Sequence, residues 1–218
     1  MYGAPTCQER FNQLLRSTKV YAVTDDGLEP AELLKTVHSL LSAGVRLVQF
    51  RDKHGSDREH ASIGRQLVAL VHAADGLLIV NDRADLAVVI DADGVHLGQD
   101  DLPVALGRRL MGPERIVGAS ASYLNEIHEA EVAGIDYLGF GAVYPTGTKL
   151  DAEFAGLDLF EQACRAATVP VVGIGGITAD RALAVLERGA AGVAVVSALF
   201  RAPDPGAAAR ELLAAVKA

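Results

Sequence analysis

Eight short apolar runs, each followed by a stretch of helical spacing, predict an α/β fold, a single (β/α)8 TIM barrel. Three observations carry that reading. The runs are apolar at successive positions rather than alternate ones, as in strands buried on both faces. Regular strand–helix alternation implies parallel strands joined by crossover helices. The 218 residues lie near the small end for this barrel, and no linker or low-complexity break divides them. Residues 1–218 therefore read as one domain, with 1–19 an N-terminal loop and helix extension. The rival, an open doubly wound sheet, needs a Gly-rich first turn, which Val23-Thr24-Asp25-Asp26-Gly27 does not supply.

Each element follows from local pattern. Phe11, Leu14 and Leu15 place a short helix before the first strand, Val20 to Thr24. Leu33, Leu34, Val37, Leu40 and Leu41 form a helical stripe that stops at Gly44. The second strand is Val45 to Phe50, followed by a helix from Arg58 to Ala73. Leu77 to Val80, Gly94 to Leu97 and Ile116 to Ala119 are strands three to five, with helices at Asp85 to Ile90, Leu102 to Leu110 and Asn125 to Ala133 between and after them. Tyr137 to Gly141, Val171 to Ile174 and Gly192 to Val196 complete the strands. The last three helices are Leu157 to Ala167, Ala179 to Arg188 and Ala207 to Val216.

Composition narrows the function. Half the residues are hydrophobic, enough for a sizeable core. The net charge of −8, from 20 basic and 28 acidic residues, argues against a nucleic-acid partner. It leaves room for an anionic small-molecule substrate, because a few cations in a cleft set the local field. Two cysteines, Cys7 and Cys164, make neither a disulfide framework nor a zinc cluster and read as unreactive thiols. No stretch reads as a secretion signal and no apolar run approaches the roughly 20 residues that span a bilayer, so a reduced cytoplasmic protein without a membrane partner is expected. Self-association into a homo-oligomer is left open.

In such a barrel the chemistry sits where strands end and helices begin. Residues two apart on a strand share a face, so Gln49, Arg51 and Lys53 point together, and towards the mouth if Gln49 points inward. An amide and two cations there suit a diphosphate attached to a flat heterocycle. Asp52 and His54 read as parts of a solvated turn. Asn81 and Asp82 follow strand three, and Gln99, Asp100 and Asp101 follow strand four. Carboxylates beyond neighbouring strands suit Mg²⁺ holding a phosphate-bearing substrate. Spacing alone leaves Asp100 and Asp101 as competing ligands, and Asp101 doubles as a candidate helix cap. Asp85, Asp91 and Asp93 read as caps and turns, and His96 as a buried, hydrogen-bonded core residue.

The remaining strand ends add an anion grip. Ser120 and Ser122 follow strand five, each able to meet a substrate or cap a helix. Tyr144-Pro145-Thr146-Gly147-Thr148-Lys149 offers two threonine hydroxyls and an ammonium in a braced loop. Gly175-Gly176 and Val196-Ser197 precede helices after strands seven and eight, where many barrels hold phosphate.

Taken in order, Gln49-x-Arg51-x-Lys53, Asn81-Asp82-Arg83-x-Asp85-Leu86-Ala87, Asp93-Gly94-Val95-His96-Leu97-Gly98-Gln99-x-Asp101, Pro145-Thr146-x-Thr148-Lys149 and Gly175-Gly176-Ile177-Thr178 resemble the thiamine-phosphate synthase (thiamine-phosphate pyrophosphorylase) family. The resemblance runs from about Val20 to Phe200, and five motifs in register are highly specific. It implies a (β/α)8 barrel that joins hydroxymethylpyrimidine diphosphate to thiazole phosphate, giving thiamine phosphate and pyrophosphate. It implies Mg²⁺ as cofactor, with Asp82 and Asp101 as its ligands. Gln49, Arg51, Lys53 and Asn81 then look like pyrimidine-diphosphate contacts, with Ser120 and Lys149 beside them. Arg51, Lys53, Ser120 and Lys149 are the implied catalytic set. Thr146, Thr148, Gly176, Val196 and Ser197 look like the thiazole-phosphate side. The segment before Val20 lies outside the core resemblance, and the loop from Leu150 to Gly156 is expected to be short, with a bearing on closure. Two rivals are a thiazole tautomerase on the same scaffold and a non-catalytic binder of thiamine precursors.

Overall fold

A computed structural model describes residues 5–147 and 154–217. The chain runs α1 (Cys7–Thr18), β1 (Val20–Val23), α2 (Pro30–Ala43), β2 (Leu47–Phe50), α3 (Asp57–His72), β3 (Leu77–Asn81), α4 (Ala84–Val89), β4 (Gly94–Leu97) and α5 (Val104–Met111). It continues β5 (Ile116–Ala121), α6 (Leu124–Val132), β6 (Tyr137–Phe140), α7 (Gly156–Ala166), β7 (Val171–Ile174), α8 (Ala179–Glu187), β8 (Gly192–Val195), α9 (Ser197–Phe200) and α10 (Pro205–Ala215). Among the described residues, eight parallel strands pair in sequence order and β8 returns to β1, closing the barrel.

Side chains sort into two cores. Outward-facing strand residues such as Val48, Leu78, Val95 and Val193 meet the helices in the larger cluster. Inward-facing Tyr21, Leu47, Leu77, Ile79, Ile116, Tyr137 and Val172 fill the barrel itself. Phe11 and Leu15 of α1 join this inner cluster and seal the amino-terminal end of the barrel. Phe11 is fully buried, stacked on Tyr137 at 4.7 Å between ring centroids and edge-on to Tyr21 at 6.3 Å. Room for Tyr137 comes from Gly118, where a Cβ would lie 2.3 Å from the tyrosine ring.

Most element ends shift by a residue or two from expectation, and three of the differences have a clear local reason. The second strand begins at Leu47 rather than Val45, because the N–H groups of Gly44 and Val45 close the end of α2 on Leu40 and Leu41 carbonyls. The helix expected from Leu102 begins at Val104, after Pro103. A four-residue helix, α9, follows β8 directly and is too short to leave a periodic signal.

Candidate active site

The carboxyl ends of the strands meet at one mouth. Gln49 lies inside the barrel, 5% exposed, its amide nitrogen donating to the Tyr21 hydroxyl at 3.1 Å. Two residues on, Arg51 leaves β2 with its backbone pinned to β1: its N–H donates to Thr24 Oγ1 (2.8 Å), whose hydroxyl donates to the Arg51 carbonyl (2.7 Å). The Arg51 guanidinium lies 2.8 Å from Asp26 Oδ1. That ion pair lacks hydrogen-bond alignment, so the buried Nη1 keeps unused donor capacity among the described residues. Asp26 was not anticipated from sequence, since a turn acid looks alike whether or not it meets a cation.

Asp82 sits at φ 64°, left-handed backbone that turns the chain sharply off β3 and that Asp tolerates better than most residues. Its N–H donates to the His96 carbonyl at 2.8 Å. Its carboxylate is hydrogen-bonded by Lys53 and lies within hydrogen-bonding reach of the Asp101 carboxyl. Asp101 also accepts from the Gly98 N–H at 2.7 Å and does not cap α5, where Pro103 is the N-cap residue. Asp100 is exposed. Geometry therefore brings Asp101, not its neighbour, against Asp82.

The pair titrates as a unit. Burial and the adjacent Asp82 push the Asp101 carboxyl up. Burial acts upward on Asp82 too, but hydrogen bonds from Asp101 and Lys53 outweigh it and hold this carboxyl below its ordinary value. Two partly buried carboxyl groups this close do not both ionise readily, and a cation can take the place of the proton that they hold between them. A small divalent cation with phosphate oxygens completing its shell fits this donor set. Among the described residues no cluster of three or more His, Cys, Asp or Glu could hold a metal without such help.

Ser120, at the end of β5, is bonded through Oγ to His96 Nε2 at 2.9 Å, and its carbonyl accepts from Gln99 at 2.8 Å. Ser122 donates to the Gly141 carbonyl, and Tyr123 rather than a serine is the N-cap residue of α6. His96 is 9% exposed, with its other ring nitrogen 2.9 Å from the Tyr137 hydroxyl. It is a buried, bonded histidine, yet it touches a mouth residue. Tyr21 and Tyr137 are the residues that pattern reading missed. Both occupy inward positions on their strands, and in β1 the tyrosine stands alone among aliphatic residues.

On the far side, Gly176 (φ 60°) approaches the loop after β6 so closely that a Cβ would meet the Pro145 carbonyl oxygen at 2.5 Å. Its carbonyl accepts from Arg181, whose guanidinium covers the Tyr144 ring at 4.9 Å. Thr146 stands on that loop, and Val196 and exposed Ser197 open α9. Thr148 and Lys149 lie outside the described residues, as does most of the loop from Leu150 to Gly156. Asp85 pairs with Arg83, Asp91 with Arg115, and Asp93 accepts from the Leu78 N–H. Asp52 holds the His54 N–H and lies 3.3 Å from His60, in the expected turn. Burial pushes the Cys7 and Cys164 thiols up to about 11 and about 12, so neither is a ready nucleophile.

A closed (β/α)8 barrel with cations, a carboxyl pair and glycine-rich turns at its carboxyl mouth has the layout of a TIM-barrel enzyme acting on a small molecule. Residues 20–199 match the family model of thiamine monophosphate synthase. The thiamine-phosphate synthase of Synechococcus sp. strain WH7803 is 46% identical over 94% of this chain, which spans 58% of that longer relative. The thiamine-phosphate synthase of Haloarcula marismortui is 45% identical over 91% of this chain and 96% of its own. Among solved structures, thiamine phosphate pyrophosphorylase from Pyrococcus furiosus is 39% identical, with a TM-score of 0.85 over 94% of this chain and 98% of that one. The chain belongs to the thiamine monophosphate synthase family, and with it to the transferases of thiamine biosynthesis.

Proposed function

We propose that this mouth joins 4-amino-2-methyl-5-hydroxymethylpyrimidine diphosphate to 4-methyl-5-(2-phosphooxyethyl)thiazole, releasing pyrophosphate and giving thiamine phosphate. One observation carries the reading furthest: Arg51 with spare donor capacity, Lys53 and the facing Asp82 and Asp101 converge on one barrel mouth. That is the equipment for holding a diphosphate as it leaves.

The carbon that reacts is a methylene on an electron-rich aminopyrimidine, so its bond to the diphosphate can break before the new bond forms. Arg51, Lys53 and Lys149 neutralise charge growing on the leaving oxygens. Asn81 and Ser120 hold the pyrimidine diphosphate against them, and Gln49 meets the ring. Asp82 and Asp101 would hold Mg²⁺, which when bound supplies further charge stabilisation to the departing group. Thr146, Thr148, Gly176, Val196 and Ser197 seat the second substrate's phosphate, with first-turn N–H groups of α8 and α9 near that side. Fixing both partners in line supplies the rest of the rate. The attacking thiazole nitrogen bears no proton, so no general base is required, in keeping with a histidine whose two ring nitrogens are both engaged. The family match favours this reading over a tautomerase or a non-catalytic binder. The reaction would run in the cytoplasm; among the described residues no helix is long and apolar enough to cross a membrane.

The test is product formation by purified protein given both substrates, with and without Mg²⁺. Metal-dependent release of pyrophosphate in step with thiamine phosphate is expected; no turnover with both substrates at saturation would sink the reading. Lys149→Ala should lower turnover at least about a hundred-fold while the melting temperature holds. A folded variant with a near-normal rate would remove Lys149 from the mechanism.

A further inference from the structure

Five side chains cross the floor of the site as one hydrogen-bonded row. Gln49 on β2 donates to Tyr21 on β1 at 3.1 Å. The Tyr21 and Tyr137 hydroxyls are 3.0 Å apart. Tyr137, on β6, reaches His96 Nδ1 on β4 at 2.9 Å, and His96 Nε2 reaches Ser120 Oγ on β5 at 2.9 Å. Both tyrosines are 1% exposed, Gln49 5% and His96 9%. Two residues that the proposed function places against the pyrimidine substrate, Gln49 and Ser120, are thus the two ends of a single buried row.

Each bond in the row has a direction, and satisfying every hydrogen fixes all of them together. An amide nitrogen only donates, so the Tyr21 oxygen accepts from Gln49. Burial pushes both phenols well above their ordinary range, so each keeps its proton. The Tyr21 hydrogen then has one acceptor in the row, the Tyr137 oxygen. Tyr137 must pass its own hydrogen onward to His96 Nδ1. His96 is left protonated on Nε2, which donates to Ser120 Oγ. The Ser120 hydrogen is left for the site, and so is the Gln49 carbonyl oxygen. The opposite order leaves the Tyr21 hydroxyl facing a donor, the costly arrangement for a buried polar group.

We infer that this row is a specificity device: it places the His96 ring hydrogen on Nε2 and presents an acceptor at Gln49 and a donor at Ser120, selecting a heterocycle that carries an amino group over its oxo counterpart. The Gln49 oxygen accepts from the exocyclic amine; a carbonyl in that place would meet acceptor with acceptor. Ser120 donates to an acceptor at the far end, a ring nitrogen or a phosphate oxygen. Tyr21, Tyr137 and His96 are positioning residues that act through Gln49 and Ser120. The inference rests on the pyrimidine reading for its ligand and on the row alone for its polarity, so the two can fail separately.

The first measurement is a ¹⁵N spectrum of the full chain labelled in histidine, without substrate, with the His96 signals identified by their loss in His96→Gln. A bare Nδ1 and a protonated Nε2 are expected; an Nδ1–H tautomer, an averaged pair or an imidazolium overturns the inference. The second is competitive inhibition by the aminopyrimidine and by its 4-oxo counterpart, in the wild type and in Tyr137→Phe, which keeps the ring stacked on Phe11 and removes only the hydroxyl. The wild type should prefer the amine by roughly a hundred-fold, and Tyr137→Phe should give back about ten-fold of that, with KM for the pyrimidine diphosphate rising more than kcat falls. Unchanged discrimination in a folded Tyr137→Phe overturns it, as does equal loss of binding for both heterocycles. Should Tyr137→Phe fold poorly, Tyr21→Phe cuts the same row one link earlier and is judged by the same ratio. A wild type that turns over no pyrimidine diphosphate would sink the proposed function, while the nitrogen spectrum would still decide the polarity.

Discussion

At the scale of single residues, the site is built from groups that are poor choices for stability. Asp82 combines left-handed backbone, half-burial and a second carboxyl at close range. Each of these costs free energy that a folded protein recovers elsewhere. Asp82→Asn should therefore cut turnover about a hundred-fold or more at saturating Mg²⁺, yet leave the melting temperature about level, because the lost Lys53 pairing is set against the relief of Asp101 from a neighbouring charge. Rate assays beside thermal melts check it. A parallel fall in rate and stability would mean that Asp82 holds the fold rather than the ligand. Gly118 supplies the converse case. Gly118→Ala puts a methyl group where the Tyr137 ring lies, so stability should fall by about 1–3 kcal/mol in urea unfolding. Pattern reading placed Gln49, Arg51, Lys53, Asp82 and Ser120 at strand ends, because period two and strand–helix alternation fix those addresses. It could not see Asp26 or the tyrosine row. Those depend on which side chains face each other across a closed barrel, and nothing in local spacing records that.

At the scale of elements, α1 does work that its sequence understates. Its short apolar stripe predicts a helix, but not that Phe11 enters the barrel floor and stacks on Tyr137. Phe11→Ala should cost about 3–5 kcal/mol, read as a shift of the urea midpoint, because the sealed end of a barrel has little freedom to collapse into the gap. A surface helix loosely laid across the bottom would lose far less. Near the end of α6, Glu131 ties that helix to the loop before β7, accepting from the Thr168 and Val169 N–H groups and the Thr168 hydroxyl. Its slight burial acts upward, but these hydrogen bonds outweigh it and hold its pKa below the ordinary 4.5. A depressed folded-state value stabilises above the unfolded value and fades as pH falls through the folded one. Glu131→Gln should thus lower the urea midpoint at pH 6, by under about 1 kcal/mol for so exposed a group, with the gap narrowing as pH falls below 4.5. A gap that does not change with pH would assign the effect to shape rather than charge. Strands and long helices were legible because burial on both faces and a 3.6-residue stripe leave strong periods. The late start of β2 and the short α9 were not, since a helix cap that consumes Val45 and a single turn of four residues leave none.

At the scale of the whole molecule, the closed barrel turns eight separate strand ends into one field. The chain is acidic overall, at −8, while Arg51 and Lys53 sit at the mouth beside carboxylates already matched to them. The field there is close to balanced, so neither a metal nor an anion alone gains much, whereas the two together add opposite charges at adjacent points. Binding should therefore be cooperative: Mg²⁺ tightens pyrophosphate and pyrophosphate tightens Mg²⁺ by the same factor. Anything that binds only the folded chain raises its stability, by about 2.7 kcal/mol at a hundred times its Kd. For a domain of this size that is roughly 5–10 °C in melting temperature. Thermal melts with Mg²⁺ alone, pyrophosphate alone and both together measure it directly. The expected result is a small shift for each alone and a shift of that order for the mixture, larger than the sum. Asp82→Asn and Arg51→Ala should abolish the excess through opposite partners, the first by losing the metal's share and the second by losing the anion's. If the shifts of wild type merely add, the metal and the anion occupy separate places, and the mouth is not the single charged site that its geometry describes.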